Sequence, residues 1–327
     1  MRTSFWNRGA LAAVLLLAGC GTPTTEAPKP GASAIATPPP FKADKLAAID
    51  TAIANAIIAK KLPGGVLWLE RNGATHRKVY GHRVLTPALE ATTEDTIYDA
   101  ASLTKVIATT TALMQLVERG QLDLNAPVAR YLPAFGANGK GAVTIRHLMT
   151  HMSGLRAGIP ATPAWTGYEA AIERACGEAL RHAPDSAFLY SDINYIVLGE
   201  VVRLVSGQKL HDYVAREVFG PLKMIDTGYL PPAAKLARIA PTELVEGKMI
   251  HGVVHDPTAR RMGGVAGHAG LFTTTADLAR FCRMLLNGGT LDGVRILIAA
   301  TIAEMTRVQN DGSDRRGLGW DLDSRYS

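Results

Sequence analysis

A chain of 327 residues, 47% hydrophobic, is long enough for one large domain or two smaller ones with a substantial core. Its formal charge of +6 comes from scattered basic residues, in no run longer than short pairs such as Arg260-Arg261, which argues against a nucleic-acid partner. Past residue 20 no stretch is long and apolar enough to span a bilayer.

Residues 1–19 read as a leader. Arg2 and Arg8 precede the apolar run Ala10 to Ala18, too short for a membrane span but right for a signal-peptide core. The run ends Leu17-Ala18-Gly19-Cys20, which resembles the bacterial lipobox, where cleavage leaves Cys20 as a lipidated first residue. An ordinary secretory signal or an uncleaved anchor is the alternative. A multiply acylated Cys20 would hold the protein firmly on a membrane, and Gly21 after it fits the periplasmic face of a Gram-negative outer membrane. Residues 20–40 hold six prolines among Thr, Ala and Gly and read as an extended tether. At about 3.1 Å per residue it reaches roughly 60 Å.

The folded part is expected over 41–327. Lys42 to Lys61 has helical periodicity in Leu46, Ile49, Ile53 and Ile57, and Pro63-Gly64-Gly65 breaks it. Val66 to Glu70 and His76 to Gly81 read as strands joined at Asn72-Gly73, a strong hairpin signal. The run Val106 to Val117 predicts a mostly buried helix starting near Ser102, a natural cap. Thr144 to His151 opens on a cap-like threonine and closes at Ser153-Gly154. Trp165 to His182, Asn194 to Val205, His211 to Phe219, Ala276 to Leu286 and Leu297 to Met305 are further helices. Strands first and then mainly helices, without regular alternation, argue for an α+β fold. Cys176 and Cys282 each fall on a predicted helix among apolar neighbours and are expected as free buried thiols.

Within Tyr98-Asp99-Ala100-Ala101-Ser102-Leu103-Thr104-Lys105, Ser102 and Lys105 are spaced to share one face of a helix start. A serine hydroxyl is a poor nucleophile alone, and a desolvated lysine amine beside it can take its proton. The positive end of the helix dipole favours negative charge developing there. S-x-x-K is a loose pattern, and about one chance match is expected in a chain this long. A second match, Ser206-Gly207-Gln208-Lys209, looks like a helix stop. In Phe188-Leu189-Tyr190-Ser191-Asp192-Ile193-Asn194-Tyr195, Tyr190 precedes a helix that Ser191 or Asp192 can cap. A tyrosine beside a lysine ammonium can relay protons. The plainer reading is a packed aromatic and a cap.

Four segments in order change the weight of these patterns. Ser102-Leu103-Thr104-Lys105, Leu148 to Leu155, Tyr190-Ser191-Asp192 and Gly263-Gly264-Val265-Ala266-Gly267-His268-Ala269-Gly270-Leu271 together resemble the serine beta-lactamase-related hydrolases. That family includes class C beta-lactamases, penicillin-binding D-alanyl-D-alanine carboxypeptidases and related esterases. The resemblance runs from about residue 41 to the end of the sequence. It implies a beta-lactamase/transpeptidase-like fold, an antiparallel sheet flanked by helices with a helical subdomain and the site between them. It implies Ser102 as the acylated nucleophile, Lys105 as its base, Tyr190 as proton shuttle and the Ser102 N–H as half of an oxyanion hole. Asp192 stands where many members carry an asparagine that binds the substrate amide, and a carboxylate has no donor to offer there. Members also carry a late third motif, Lys or His followed by Thr or Ser and Gly. His268-Ala269-Gly270 precedes a helix instead and resembles another family segment. Gly317-Leu318-Gly319-Trp320 resembles the strand just before that motif, so the sequence reads as truncated, lacking its last strands.

The expected activity is therefore hydrolysis through an acyl-serine, on a cell-wall D-Ala-D-Ala peptide, an ester or a beta-lactam, with no cofactor. The alternative is a lipid-anchored module that binds penicillin or peptidoglycan without turnover. Two histidine pairs, His147 with His151 and His251 with His255, lack the glutamate of H-E-x-x-H, so no metal is expected. No G-x-S-x-G occurs, which disfavours an α/β-hydrolase.

Overall fold

A computed structural model describes residues 40–310 and 312–324. The expected leader, Cys20 and the tether up to residue 39 lie outside them. Among the described residues no helix is long and apolar enough to cross a membrane.

Helix α1 (Ala43–Ile58) buries no residue fully. It is tied to the following hairpin by Asp50, which accepts from Lys78 Nζ at 2.6 Å and Tyr80 Oη at 2.5 Å. That hairpin, β1 (Gly64–Arg71) and β2 (Ala74–Val84), turns at Asn72-Gly73 with φ of 51° and 79°. Two successive positive φ values match the right-handed twist of the strands, as the Asn-Gly pair predicts. Strand β3 (Glu90–Ala91) adds to β2, and all pairs are antiparallel.

A second sheet positions the chemistry. Strand β4 (Tyr98–Asp99) runs straight into Ser102. The nucleophile segment opens with a π-helical turn, Lys105–Thr110, and continues as α2 (Thr111–Glu118). The expected helix is there, but Ser102 is not its cap. Among the described residues no backbone N–H reaches Ser102 Oγ, which instead accepts from the Lys105 side chain. Helix α3 (Ile145–Met149) has the predicted Thr144 cap. Helix α4 (Tyr168–Gly177) is shorter than Trp165 to His182. Gly167 at φ 100° sets its start, and Glu178 turns extended at its end.

Helix α5 (Asp192–Ser206) is the centre of the core. Every residue from Ile193 to Val202 is buried, which covers every side of the helix. It stops at Gly207 in the left-handed conformation, so the second S-x-x-K match is the predicted helix stop. Helix α6 (Leu210–Val214), β5 (Gly228–Tyr229), the hairpin β6 (Leu244–Val245) with β7 (Lys248–Met249), and α7 (Pro257–Arg261) follow. Strand β8 (Leu271–Thr273) then returns between β4 and β5, antiparallel to both. Helix α8 (Thr275–Leu286), the hairpin β9 (Thr290–Leu291) with β10 (Val294–Arg295), α9 (Ala299–Thr306), and β11 (Arg315–Arg316) paired with β12 (Asp321–Asp323) complete the described chain. Antiparallel strands with helices packed beside them make this an α+β fold. Cys176 on α4 is a free buried thiol as expected, whereas Cys282 is free but exposed, on the solvent side of α8.

Candidate active site

The β4–β8 pairing explains why two distant segments meet. Asp99 lies opposite Phe272, and Ala100 N–H donates to Leu271 O at 2.8 Å. Residues just after β4 therefore sit beside residues just before β8, which places His268 next to the nucleophile turn. Asp99 fixes that turn. Its Oδ1 accepts from Ala101 N–H at 2.7 Å, holding Ala101 in the left-handed region at φ 45°. Such a conformation costs a non-glycine residue about 1 kcal/mol or more, and the carboxylate offsets it. The Asp99 Oδ2 accepts from His255 N–H at 2.7 Å and so ties the same turn to the loop that carries Asp256.

Ser102 is exposed, and Lys105 one turn later is 3% exposed. Lys105 Nζ donates to Ser102 Oγ at 3.0 Å and to the His268 carbonyl at 3.2 Å, and lies 2.7 Å from Asp192 Oδ1. Those three contacts take all three ammonium N–H directions. The ammonium also lies over the Tyr190 ring, 4.8 Å from its centroid. The structure thus brings together all four residues singled out from sequence, Ser102, Lys105, Tyr190 and Asp192. It gives them different relations from those expected. Among the described residues no hydrogen bond joins the Tyr190 hydroxyl to Ser102 or Lys105, and Asp192 faces the lysine. Nor, among the described residues, does any group accept from the Ser102 backbone N–H.

His151, Asp256 and His268 were not picked out as site residues. His268 is 1% exposed, and its Nε2 pairs with Asp256 Oδ1 at 2.8 Å. Asp256 also caps α7 through Ala259 N–H at 2.7 Å. Burial pushes the Asp256 carboxyl up, but the His268 hydrogen bond and charge, the Ala259 N–H and the Lys105 charge together bring it down to about 2. The glycine-rich segment around His268 was visible in the sequence. Asp256 had only its Asp-Pro cap signal. Asp192, Asp256 and His268 offer one ligand atom each within 4.8 Å of one another, an arrangement able to take a cation. Lys105 supplies positive charge beside this cluster. The two histidine pairs are used separately. His147 Nδ1 accepts from Thr144 N–H at 3.2 Å, and His255 faces Glu243 at 3.0 Å.

His151 holds the Tyr190 loop. It is 1% exposed, its ring stacks on Tyr190 with centroids 4.4 Å apart, and its Nδ1 accepts from Ser191 N–H at 3.1 Å. Burial, with the Arg316 and Lys105 charges, holds its imidazole neutral well below the usual histidine range. An unfolded histidine takes a proton near 6.5, so below that pH the unfolded chain binds more protons than the folded one. The stability contributed by the neutral ring is complete above about pH 6.5 and is lost as pH falls. Acidification from pH 7 to pH 5 is expected to cost about 2 kcal/mol through this residue. Urea unfolding of His151→Gln at both pH values should show a loss smaller by that amount, and an unchanged loss would contradict the assignment.

The family model named Beta-lactamase matches residues 49–326. Proteins from Salmonella schwarzengrund and Salmonella typhimurium, provisionally named D-alanyl-D-alanine carboxypeptidase, are each 31% identical over 333 residues, covering 88% of this chain and 74% of theirs. Among solved structures, a class C beta lactamase is similar at a TM-score of 0.71 and 19% identity, over 85% of this chain and 74% of that one. The octameric penicillin-binding protein homologue from Pyrococcus abyssi is similar at a TM-score of 0.66 and 23% identity, over 84% of this chain and 64% of that one. At such identities these two structures speak to the fold, and they match the beta-lactamase/transpeptidase-like architecture expected from the sequence.

Proposed function

The chain belongs to the beta-lactamase family as a serine hydrolase, and we propose that it works through an acyl-enzyme formed on Ser102. The observation that carries this is the buried Lys105 Nζ 3.0 Å from the oxygen of an exposed serine. Once its ammonium has given up a proton, this dry, fixed amine can take the hydroxyl proton as Oγ attacks a carbonyl carbon. The unpaired Ser102 N–H then faces the oxyanion that forms, in a turn whose geometry Asp99 has already set. In this reading Tyr190, whose ring lies 4.8 Å from the ammonium, returns a proton to the leaving group. Asp192 is about one-third exposed beside Lys105.

The names of the Salmonella relatives support a peptide ending in D-Ala-D-Ala as the first substrate to try, ahead of an ester or a beta-lactam. The Leu17-Ala18-Gly19-Cys20 signal supports a lipid-anchored place on the periplasmic face of the outer membrane, where such peptides occur.

The test is covalent labelling of the full chain with a fluorescent penicillin and a fluorophosphonate, followed by peptide mapping. The expected label sits on Ser102. A label on another residue, or none, would overturn the acyl-serine reading. Nitrocefin, p-nitrophenyl butyrate and a D-Ala-D-Ala peptide assayed side by side then sort the substrate. A stable label without turnover of any of the three would favour a binding module.

A further inference from the structure

Resting on the acyl-serine reading, we infer that Asp192 is the proton acceptor behind Lys105, not a ligand for the substrate amide. Lys105 paired with a carboxylate at 2.7 Å carries three protons, each already directed to Ser102, His268 O or Asp192. An ammonium cannot accept a fourth proton. For Ser102 to be deprotonated, one Nζ proton must leave before the serine proton arrives. Two of the three directions end on groups that cannot keep it, a carbonyl oxygen and the serine itself. The third ends on the Asp192 carboxylate.

The step balances without any further reagent. The Ser102 Oγ–H bond breaks and Oγ bonds to the substrate acyl carbon. The Nζ proton facing Asp192 first passes to Oδ1, and the neutral amine so formed turns its lone pair to Ser102 and takes the serine proton. Collapse of the tetrahedral intermediate expels the leaving group, and the stored proton returns through Lys105 to it. Tyr190 is well placed for that last transfer, but its hydroxyl makes no hydrogen bond to Lys105 or Ser102 among the described residues, so the first transfer runs to Asp192.

Around Asp192 lie Lys105 from the nucleophile helix, Asp256 at the start of α7 and His268 from the loop before β8. The His268 hydrogen bond and charge, the Ala259 N–H and the Lys105 charge hold the Asp256 carboxyl down at about 2, so it stays a carboxylate beside the relay and takes no proton from it.

The experiment measures the rate constant for fluorophosphonate labelling of Ser102 in wild type, Asp192→Asn and Asp192→Glu, with thermal unfolding run on each. D192N should label at least about 100-fold more slowly, because an amide cannot hold the proton. D192E should recover most of the rate. If D192N labels within threefold of wild type, or D192E is as slow as D192N, the inference fails. If D192N does not fold, D192E decides, and a rate about 100-fold below wild type overturns the inference. A gain by D192N on nitrocefin or the D-Ala-D-Ala peptide would place residue 192 on the substrate amide instead. Absence of any Ser102 label in wild type would sink the acyl-serine reading itself, which is a separate result.

Discussion

Lys105→Ala is expected to lower acylation of Ser102 by about three orders of magnitude, the upper range for loss of a positioned base. The reason is geometric before it is electrostatic. Lys105 is the group that touches the serine oxygen, and the strained Ala101 turn aims that oxygen at it. Lys105→Arg separates the two contributions. A guanidinium keeps the positive charge and a partner for Asp192, but it does not give up or exchange a proton under these conditions. The arginine variant should therefore be nearly as slow as the alanine variant. If it acylates within tenfold of wild type, charge alone carries the effect and neither a lysine base nor a proton relay is needed. Stability should separate the variants differently. Alanine leaves Asp192 without a counter-charge, but that side chain is 32% exposed and water screens it. The cost is expected near 1 kcal/mol, below the 3–5 kcal/mol of a fully buried broken pair. Rates by labelling and midpoints by thermal unfolding test both statements on the same samples.

Much of the local structure could be read from the sequence because it is locally determined. Asn72-Gly73 closes its hairpin, Thr144 caps α3, and Gly207 stops α5. Ser102, Lys105, Tyr190 and Asp192 were visible as chemistry-bearing residues in short motifs. Their relations to one another were not, because tertiary pairing sets them. Lys105 reaches a carbonyl 163 positions away because β8 lies between β4 and β5. No periodicity announces that contact, nor the choice of Asp192 to face the lysine. The Asp256–His268 pair escaped notice for the same reason, since each half looks like a cap or a loop residue until β8 is in place. His151 was weighed as a metal ligand, yet its ring is used to carry Tyr190 and Ser191. Ser102 illustrates the opposite error. Cap propensity is a weak preference of about 1 kcal/mol, and a buried ammonium at hydrogen-bond distance outcompetes it.

The same tertiary dependence makes Gly267 a sensitive position outside the reacting groups. A Cβ built there would lie 1.9 Å from the Tyr195 carbonyl oxygen and 3.0 Å from Gly199 N, both backbone atoms of α5. Gly199 is the counterpart, and a Cβ on it would lie 3.1 Å from the Gly267 backbone. Two glycines facing each other thus let the loop before β8 lie directly on α5. Backbone cannot rotate away as a side chain can, so Gly267→Ala must push the loop and the helix apart. Overpacking of this kind costs about 3 kcal/mol, or roughly 5–10 °C in melting temperature for a chain of this size. The separation has a chemical consequence because the two elements hold opposite sides of Lys105. Asp192 opens α5, while His268 follows Gly267 and offers its carbonyl. Moving them apart loosens the lysine from both, so kcat should fall by 10-fold or more even at temperatures where the variant remains folded. Gly65→Ala on β1, where an added Cβ meets nothing within 4 Å, is the matched control and should change neither quantity measurably. A Gly267→Ala protein that melts lower but turns over at the wild-type rate would mean that the Lys105 contacts survive the displacement. One that matches wild type in both would mean that the loop has room the backbone distances do not provide.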